Sequence, residues 1–272
     1  MHTPVLPIHV DYARAGISAD GSPALHAYLL DTWRDRAEQG PRPALIICPG
    51  GAYAFTANRE AEPVAAQFCA RGYHVFVLRY TTTPMPFPGA LLELSAAVAM
   101  VREHAAEWNI DPDRLFVCGF SAGGHLAGSL GMFWNRDFVT APLGLEMGAN
   151  RPTGLLLSYP VITSGNFAHH ESIHNLLLDR YEEQRELVSL ENQVTAETPP
   201  VFLWHTVEDP VVPVENSLML ANALRAAGVS FELHLYTHGG HGLALANRLT
   251  ERVQPACETW VELAAQWMDT IG

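Results

Sequence analysis

Gly119-Phe120-Ser121-Ala122-Gly123 sets a serine between two glycines in the pattern G-x-S-x-G, directly after an apolar run at 115–118 and before a helical stretch at 122–133. A strand that turns sharply into a helix at such a serine has room only for very small neighbours, which accounts for Gly119 and Gly123. The turn leaves the hydroxyl exposed at the helix N-terminus, where free N–H groups favour developing negative charge. The bare pattern is weak; its strand–turn–helix setting makes Ser121 a candidate nucleophile.

A serine hydroxyl attacks poorly at neutral pH without a base. Where a serine is presented in this way, the order along the chain is serine, acid, histidine, so its partners are sought downstream. Asp209 lies on the loop after an apolar run at 201–205, and His241 lies in Gly239-Gly240-His241-Gly242 after a run at 231–236. One helical stretch and one apolar run separate the two, as for residues on neighbouring strands. Glu208, beside Asp209, and His238, near His241, are the competing acid and base. His125 and His205 are read as packing or local hydrogen-bonding groups. Acyl transfer also needs donors for an oxyanion. The expected ones are the N–H of Ala122, the residue after the serine, and those of Gly50 and Gly51, a glycine pair after the run at 44–48.

A second pattern competes with this one. His170-Glu171-Ser172-Ile173-His174 reads H-E-x-x-H, which on a helix puts two imidazoles on one face beside a glutamate base, as in zinc hydrolases. With 13 histidines in the chain an accidental match is not rare, and no third ligand stands at a usual distance downstream. Neither a metal nor a cofactor is expected, and zinc hydrolysis through His170 and His174 is kept as a remote alternative.

The elements that must carry these residues read as an α/β alternation. Short apolar runs at 44–48, 74–78, 115–118, 154–159, 201–205 and 231–236, bounded by Gly or Pro, suit strands buried on both faces of a parallel sheet. Amphipathic stretches at 61–71, 90–108, 122–133, 214–227 and 251–268 supply the helices. Each chemical motif falls at the carboxyl end of a strand, where such sheets bind ligands. Residues 161–198 break the rhythm and read as a small helical insertion near the site, or else as a solvated surface excursion. No repeat or linker is visible, so 1–272 is expected to be a single domain.

Composition narrows the function classes. The chain has 272 residues, 48% hydrophobic and 17% charged, enough to build a large core. A net charge of −13 without a Lys/Arg cluster argues against gripping nucleic acid or anionic lipid. No apolar stretch reaches the roughly 20 residues that span a bilayer. The start lacks a basic region followed by an apolar run, and the four cysteines are widely spaced; a cytoplasmic location follows as the expectation. A homo-oligomer stays open.

With those residues placed, the chain resembles the bacterial acetyl-esterase branch of the α/β-hydrolases, close to the bifunctional feruloyl/acetyl-xylan esterases and the hormone-sensitive-lipase-like esterases. The resemblance rests on Cys48-Pro49-Gly50-Gly51-Ala52-Tyr53, on the serine motif through Gly124-His125-Leu126-Ala127, on Thr198-Pro199-Pro200 to His205-Thr206, on Val212-Pro213-Val214-Glu215-Asn216-Ser217, and on Gly240-His241-Gly242-Leu243. It implies an eight-stranded, mostly parallel sheet flanked by helices, with the insertion after the sixth strand. It also implies a Ser121–His241–Asp209 triad cleaving small acyl esters, acetyl above all, of sugars or xylo-oligosaccharides. An amide-cleaving hydrolase of the formamidase or peptidase type is the alternative. Ala52 stands where these families often have a third glycine, Pro49 where lipase-like members have histidine, and Pro210 where a second acidic residue is common.

Overall fold

The computed structural model describes residues 1–31 and 40–271. Eight strands form one sheet: β1 (Val5–Pro7), β2 (Ala24–Tyr28), β3 (Arg42–Cys48), β4 (His74–Arg79), β5 (Ile110–Phe120), β6 (Gly154–Ser158), β7 (Val201–Thr206) and β8 (Phe231–Tyr236). The strand order is β1-β2-β4-β3-β5-β6-β7-β8. β1 and β2 run antiparallel at one edge, and every pairing from β4 through β8 is parallel. The helices are α1 (Glu62–Cys69), α2 (Gly89–Glu103), α3 (Ala105–Trp108), α4 (Ala122–Phe133), α5 (Asp137–Leu143), α6 (His170–Leu177), α7 (Tyr181–Gln184), α8 (Glu215–Ala227), α9 (Pro255–Glu258) and α10 (Trp260–Thr270). This is the α/β architecture, a mostly parallel sheet flanked by helices, that the alternating runs pointed to.

The period of two along each strand divides the core. Ile46, Leu78, Val117, Leu157 and Leu203 face a cluster that includes side chains of α2, α4, α5 and α8. Leu45, Val77, Phe116, Leu156 and Phe202 face the other, which α1 and α10 close with Phe68, Trp260 and Trp267. Both faces are covered, so the central strands read as continuous apolar runs. Each fully buried aliphatic side chain contributes about 1.5–3 kcal/mol of transfer free energy.

Three elements depart from the sequence reading. The stretch 90–108 is two helices, because His104 leaves helical geometry (ψ 11°) between α2 and α3. The stretch 251–268 is also divided: Glu251 stands in left-handed backbone (φ 63°), and Pro255 begins a new short helix. β1 and β2 carried no recognisable apolar run, since in β2 only Leu25 and Ala27 are buried. The segment 161–198 does fold as helices after the sixth strand, with α6, α7 and two short 3-10 turns. No helix of the described residues is long and apolar enough to cross a membrane.

The sheet delivers the chemistry at one rim. β3, β5, β6, β7 and β8 are consecutive neighbours, and the segments that follow them hold Gly51, Ser121, Tyr159, Asp209 and His241. Cys48 pairs with Gly119, so the glycine loop and the serine turn leave the sheet side by side. That proximity leaves no room for a side chain at Gly123, where a Cβ would lie 2.1 Å from the Cys48 carbonyl oxygen and 2.4 Å from that of Pro49. Gly123→Ala is expected to cost at least about 1–3 kcal/mol through overpacking. Gly240→Ala, where a Cβ meets nothing within 4 Å, should cost less than about 0.5 kcal/mol; urea unfolding of the two variants measures both.

Candidate active site

Ser121 sits between β5 and α4 with φ 52° and ψ −118°, a left-handed conformation that a non-glycine residue holds only under strain. The surroundings enforce it. The Ser121 N–H donates to the Ser158 carbonyl at 3.0 Å, and its carbonyl accepts from the Val161 N–H at 3.1 Å. At Gly119 a Cβ would lie 2.2 Å from the Gly123 carbonyl oxygen. The turn therefore closes only over glycine on both sides, as the motif required.

His241 Nε2 lies 2.8 Å from Ser121 Oγ, and His241 Nδ1 lies 2.7 Å from Asp209 Oδ2. An ionised carboxylate only accepts hydrogen bonds, so Nδ1 carries the proton and Nε2 is left to accept from the serine hydroxyl. The histidine loop is anchored where it leaves β8. Thr206 Oγ1 donates to the Gly239 carbonyl at 2.9 Å, and the Arg252 guanidinium donates to the His241 carbonyl.

Asp209 has a fully buried carboxylate. Burial would push its pKa up. Hydrogen bonds from His205 and His241, the imidazole charge and the Val211 N–H outweigh that and hold it well below the usual carboxylate range. The Val211 and Val212 N–H groups donate to Oδ1 at 2.9 and 3.0 Å. His205, buried on β7, holds Ser217 Oγ at 2.8 Å through Nδ1. Its Nε2 is 3.0 Å from the Val212 carbonyl and 3.4 Å from Asp209 Oδ2. The competing pair lies elsewhere: His238 Nδ1 meets Glu208 Oε1 at 2.9 Å, with both side chains more than half exposed.

The glycine loop after β3 is clamped at Pro49, Ala52 and Tyr53. Tyr80 O–H donates to the Pro49 carbonyl at 2.7 Å, Asn175 Nδ2 from α6 donates to the Ala52 carbonyl at 2.8 Å, and Thr83 N–H donates to the Tyr53 carbonyl at 2.7 Å. Tyr53 O–H reaches His125 Nδ1 at 2.8 Å, and His125 Nε2 reaches the Val188 carbonyl at 2.8 Å. His125 thus ties the loop, α4 and the insertion together as a neutral ring, its pKa pushed down by burial to about 4. One expectation for the loop fails. The Gly50 N–H does not face an oxyanion; it donates to Glu60 Oε2 at 2.7 Å. The N–H groups of Gly51 and Ala122 meet no acceptor among the described residues. The Ala122 N–H is one of the free donors of the first turn of α4.

Sequence reasoning missed Glu60, Tyr159 and His169. Glu60 is 3% exposed, and its pKa is pushed up by burial against hydrogen bonds from Tyr159 and Gly50. Tyr159 stands edge-on to the His241 ring at 5.1 Å. His169, half-buried ahead of α6, has its pKa lowered by burial and then by the charge of His241, and its Nδ1 meets Ser172 Oγ at 2.8 Å. The H-E-x-x-H residues do lie on a helix, α6, but His174 stacks on Tyr181 at 4.2 Å. Among the described residues no three His, Cys, Asp or Glu side chains are placed to share a metal ion.

Comparison with known proteins follows from this geometry. The BD-FAE family model matches residues 30–224, well over half of the chain. The chain belongs to the BD-FAE family. That family places it in the esterase branch of the α/β-hydrolases. It is 40% identical over 230 residues to endo-1,4-beta-xylanase B of Butyrivibrio fibrisolvens, covering 83% of this chain and 35% of that protein. The chain spans less than two thirds of the length of the curated relatives it matches. Among solved structures, the acetyl ester-xyloside bifunctional hydrolase of Caldicellulosiruptor lactoaceticus superposes with TM-score 0.85 at 36% identity, covering 100% of this chain and 98% of that one. The carboxylesterase Cest-2923 of Lactobacillus plantarum superposes with TM-score 0.86 at 27% identity, covering 99% and 98%.

Two outcomes are expected for this BD-FAE member. Asp209→Asn should lower kcat on p-nitrophenyl acetate by about 10⁴-fold through loss of the required imidazole tautomer, whereas Glu208→Gln should keep it within about twofold. Ala52, the departure from a third glycine, adopts φ 54°, a conformation that costs a non-glycine residue roughly 1 kcal/mol. Ala52→Gly should therefore raise stability by up to about 1 kcal/mol in urea unfolding.

Proposed function

We propose that the chain is a serine carboxylesterase that hydrolyses short-chain acyl esters, acetyl foremost, through Ser121, His241 and Asp209. The observation that carries this reading is the unbroken hydrogen-bonded chain from Asp209 through His241 to Ser121, at 2.7 and 2.8 Å. Ser121 Oγ attacks the ester carbonyl carbon while His241 Nε2 takes the hydroxyl proton. Asp209 fixes the tautomer and stabilises the imidazolium as it forms. The tetrahedral oxyanion accepts from the N–H groups of Gly51 and Ala122. As the carbon–oxygen bond to the alcohol breaks, His241 returns the proton to that oxygen and leaves an acyl-Ser121. Water, deprotonated by the same imidazole, repeats the sequence and releases the acid.

Acetylated sugars or xylo-oligosaccharides are the proposed natural substrates. Support comes from the acetyl ester-xyloside hydrolase and the xylanase to which the chain is similar. Ser121 is only 6% exposed, which suits a small acyl group.

The test is hydrolysis of p-nitrophenyl acetate through decanoate by the native protein and by Ser121→Ala, followed by acetate release from acetylated xylo-oligosaccharides. The native protein should favour the shortest esters, and the variant should lose about 10⁴-fold or more in kcat. Equal turnover by the two proteins would remove Ser121 as the nucleophile. A maximum at long acyl chains would remove the acetyl preference alone.

A further inference from the structure

Glu60 is a buried carboxylate for which the acyl-transfer sequence has no step, and it lies between two loops that the reaction uses. It occupies a 3-10 turn, Asn58–Glu60, ahead of α1. Its Oε2 accepts from the Gly50 N–H at 2.7 Å, and its Oε1 accepts from the Tyr159 hydroxyl at 2.8 Å. The Tyr159 oxygen in turn accepts from the Ala244 N–H at 2.8 Å. One carboxylate is thereby joined to the glycine loop directly and to the loop that carries His241 through a single phenol. Gly50 is the thin wall between Glu60 and the nucleophile: a Cβ there would lie 2.8 Å from Glu60 Oε2 and 3.0 Å from Ser121 Cβ. A carboxylate is costly to bury unless hydrogen bonds repay its lost hydration, so a group held this way fixes the geometry of whatever it binds.

We infer that Glu60 is a positioning residue of the esterase site. It locks the oxyanion loop and the His241 loop in register and sets a second negative charge within reach of the imidazolium. By claiming the Gly50 N–H it confines the oxyanion donors to Gly51 and Ala122. The inference rests on the serine-esterase reading. Besides Glu60, the charged and titratable groups near His241 are Asp209, His169, Tyr159 and Arg252, whose guanidinium donates to the His241 carbonyl. Those near Glu60 are Arg59, Tyr80 and Cys118.

Glu60→Gln keeps the shape and an acceptor for Gly50 but removes the charge. Tyr159→Phe cuts the link to Ala244 and removes one hydrogen-bond donor from the carboxylate. Both are assayed on p-nitrophenyl acetate beside the native protein and Ser121→Ala. Glu60→Gln should lower kcat at least about tenfold, since small misplacements of reacting groups are costly, with KM within about twofold. Its acid limb of kcat/KM should move to lower pH, because an imidazolium that loses a nearby carboxylate gives up its proton more readily. Tyr159→Phe should lower kcat similarly, since it cuts the same link to the His241 loop. Native kcat and acid limb in Glu60→Gln, with only a lowered melting temperature, would overturn the inference. Should Glu60→Gln fail to fold, native kcat in Tyr159→Phe overturns it. Ser121→Ala separates the two levels: full activity in that variant sinks the esterase reading itself, whereas an inactive Ser121→Ala beside an unaffected Glu60→Gln sinks only the role of Glu60.

Discussion

Direct backbone contact between the start of α4 and the ends of β3 and β5 is the constraint on which the rest of the site depends. Gly123 lies against the Cys48 and Pro49 carbonyls, and Gly119 lies against Gly123 itself. With no side chains between them, the chain can pass from β5 into α4 only through a single left-handed residue, and that residue is Ser121. The same contact brings the first turn of α4 beside the loop after β3, so the Ala122 N–H and the Gly51 N–H belong to one small region. Strain at the serine is thus a consequence of close packing, sustained by the surrounding core together with the serine's own backbone hydrogen bonds to Ser158 and Val161.

Around this core of contacts lies a set of buried polar side chains, each of which joins segments distant in sequence. His125 links the loop after β3 to α4 and to Val188 of the insertion. His205 backs Asp209 while holding Val212 and Ser217. Burying such groups is unfavourable unless their hydrogen bonds are met, and here one partner of each ring is a backbone carbonyl, of Val188 or of Val212, in a loop that needs fixing. The loops that carry the chemistry are therefore positioned by polar groups, while the sheet that carries the loops is held by apolar burial on both faces.

The sequence was most readable where a physical requirement is local. Continuous apolar runs marked the buried parallel strands, and the glycines flanking Ser121 marked a turn that no larger residue permits. Strand order narrowed the acid to Glu208 or Asp209 and the base to His238 or His241, and the geometry separates the two pairs by burial: Asp209 and His241 join in the interior, Glu208 and His238 on the surface. Legibility ended where partners are remote. Nothing in Arg59-Glu60-Ala61-Glu62 distinguishes the buried Glu60 from the exposed Glu62, because the groups that satisfy it lie 10 and 99 residues away. The Gly50 N–H was assigned to the oxyanion for the same reason. β1 and β2 escaped notice because an edge hairpin with one face open to solvent buries too few residues to print a pattern.

Ser121 and His241 are 120 residues apart, and they meet only because β5 and β8 stand three positions apart in a sheet whose intervening strands are β6 and β7. Contacts of such sequence separation form late, since the entropy of closing the intervening chain must be overcome before they can contribute. A chain emerging from the ribosome can complete its serine turn, its glycine loop and most of its core while still lacking the imidazole. On the proposed mechanism it stays chemically silent until β8 docks at the sheet edge and carries the histidine loop into place. On that mechanism, recovery of hydrolysis after denaturation times the closure of the last strand rather than the collapse of the core.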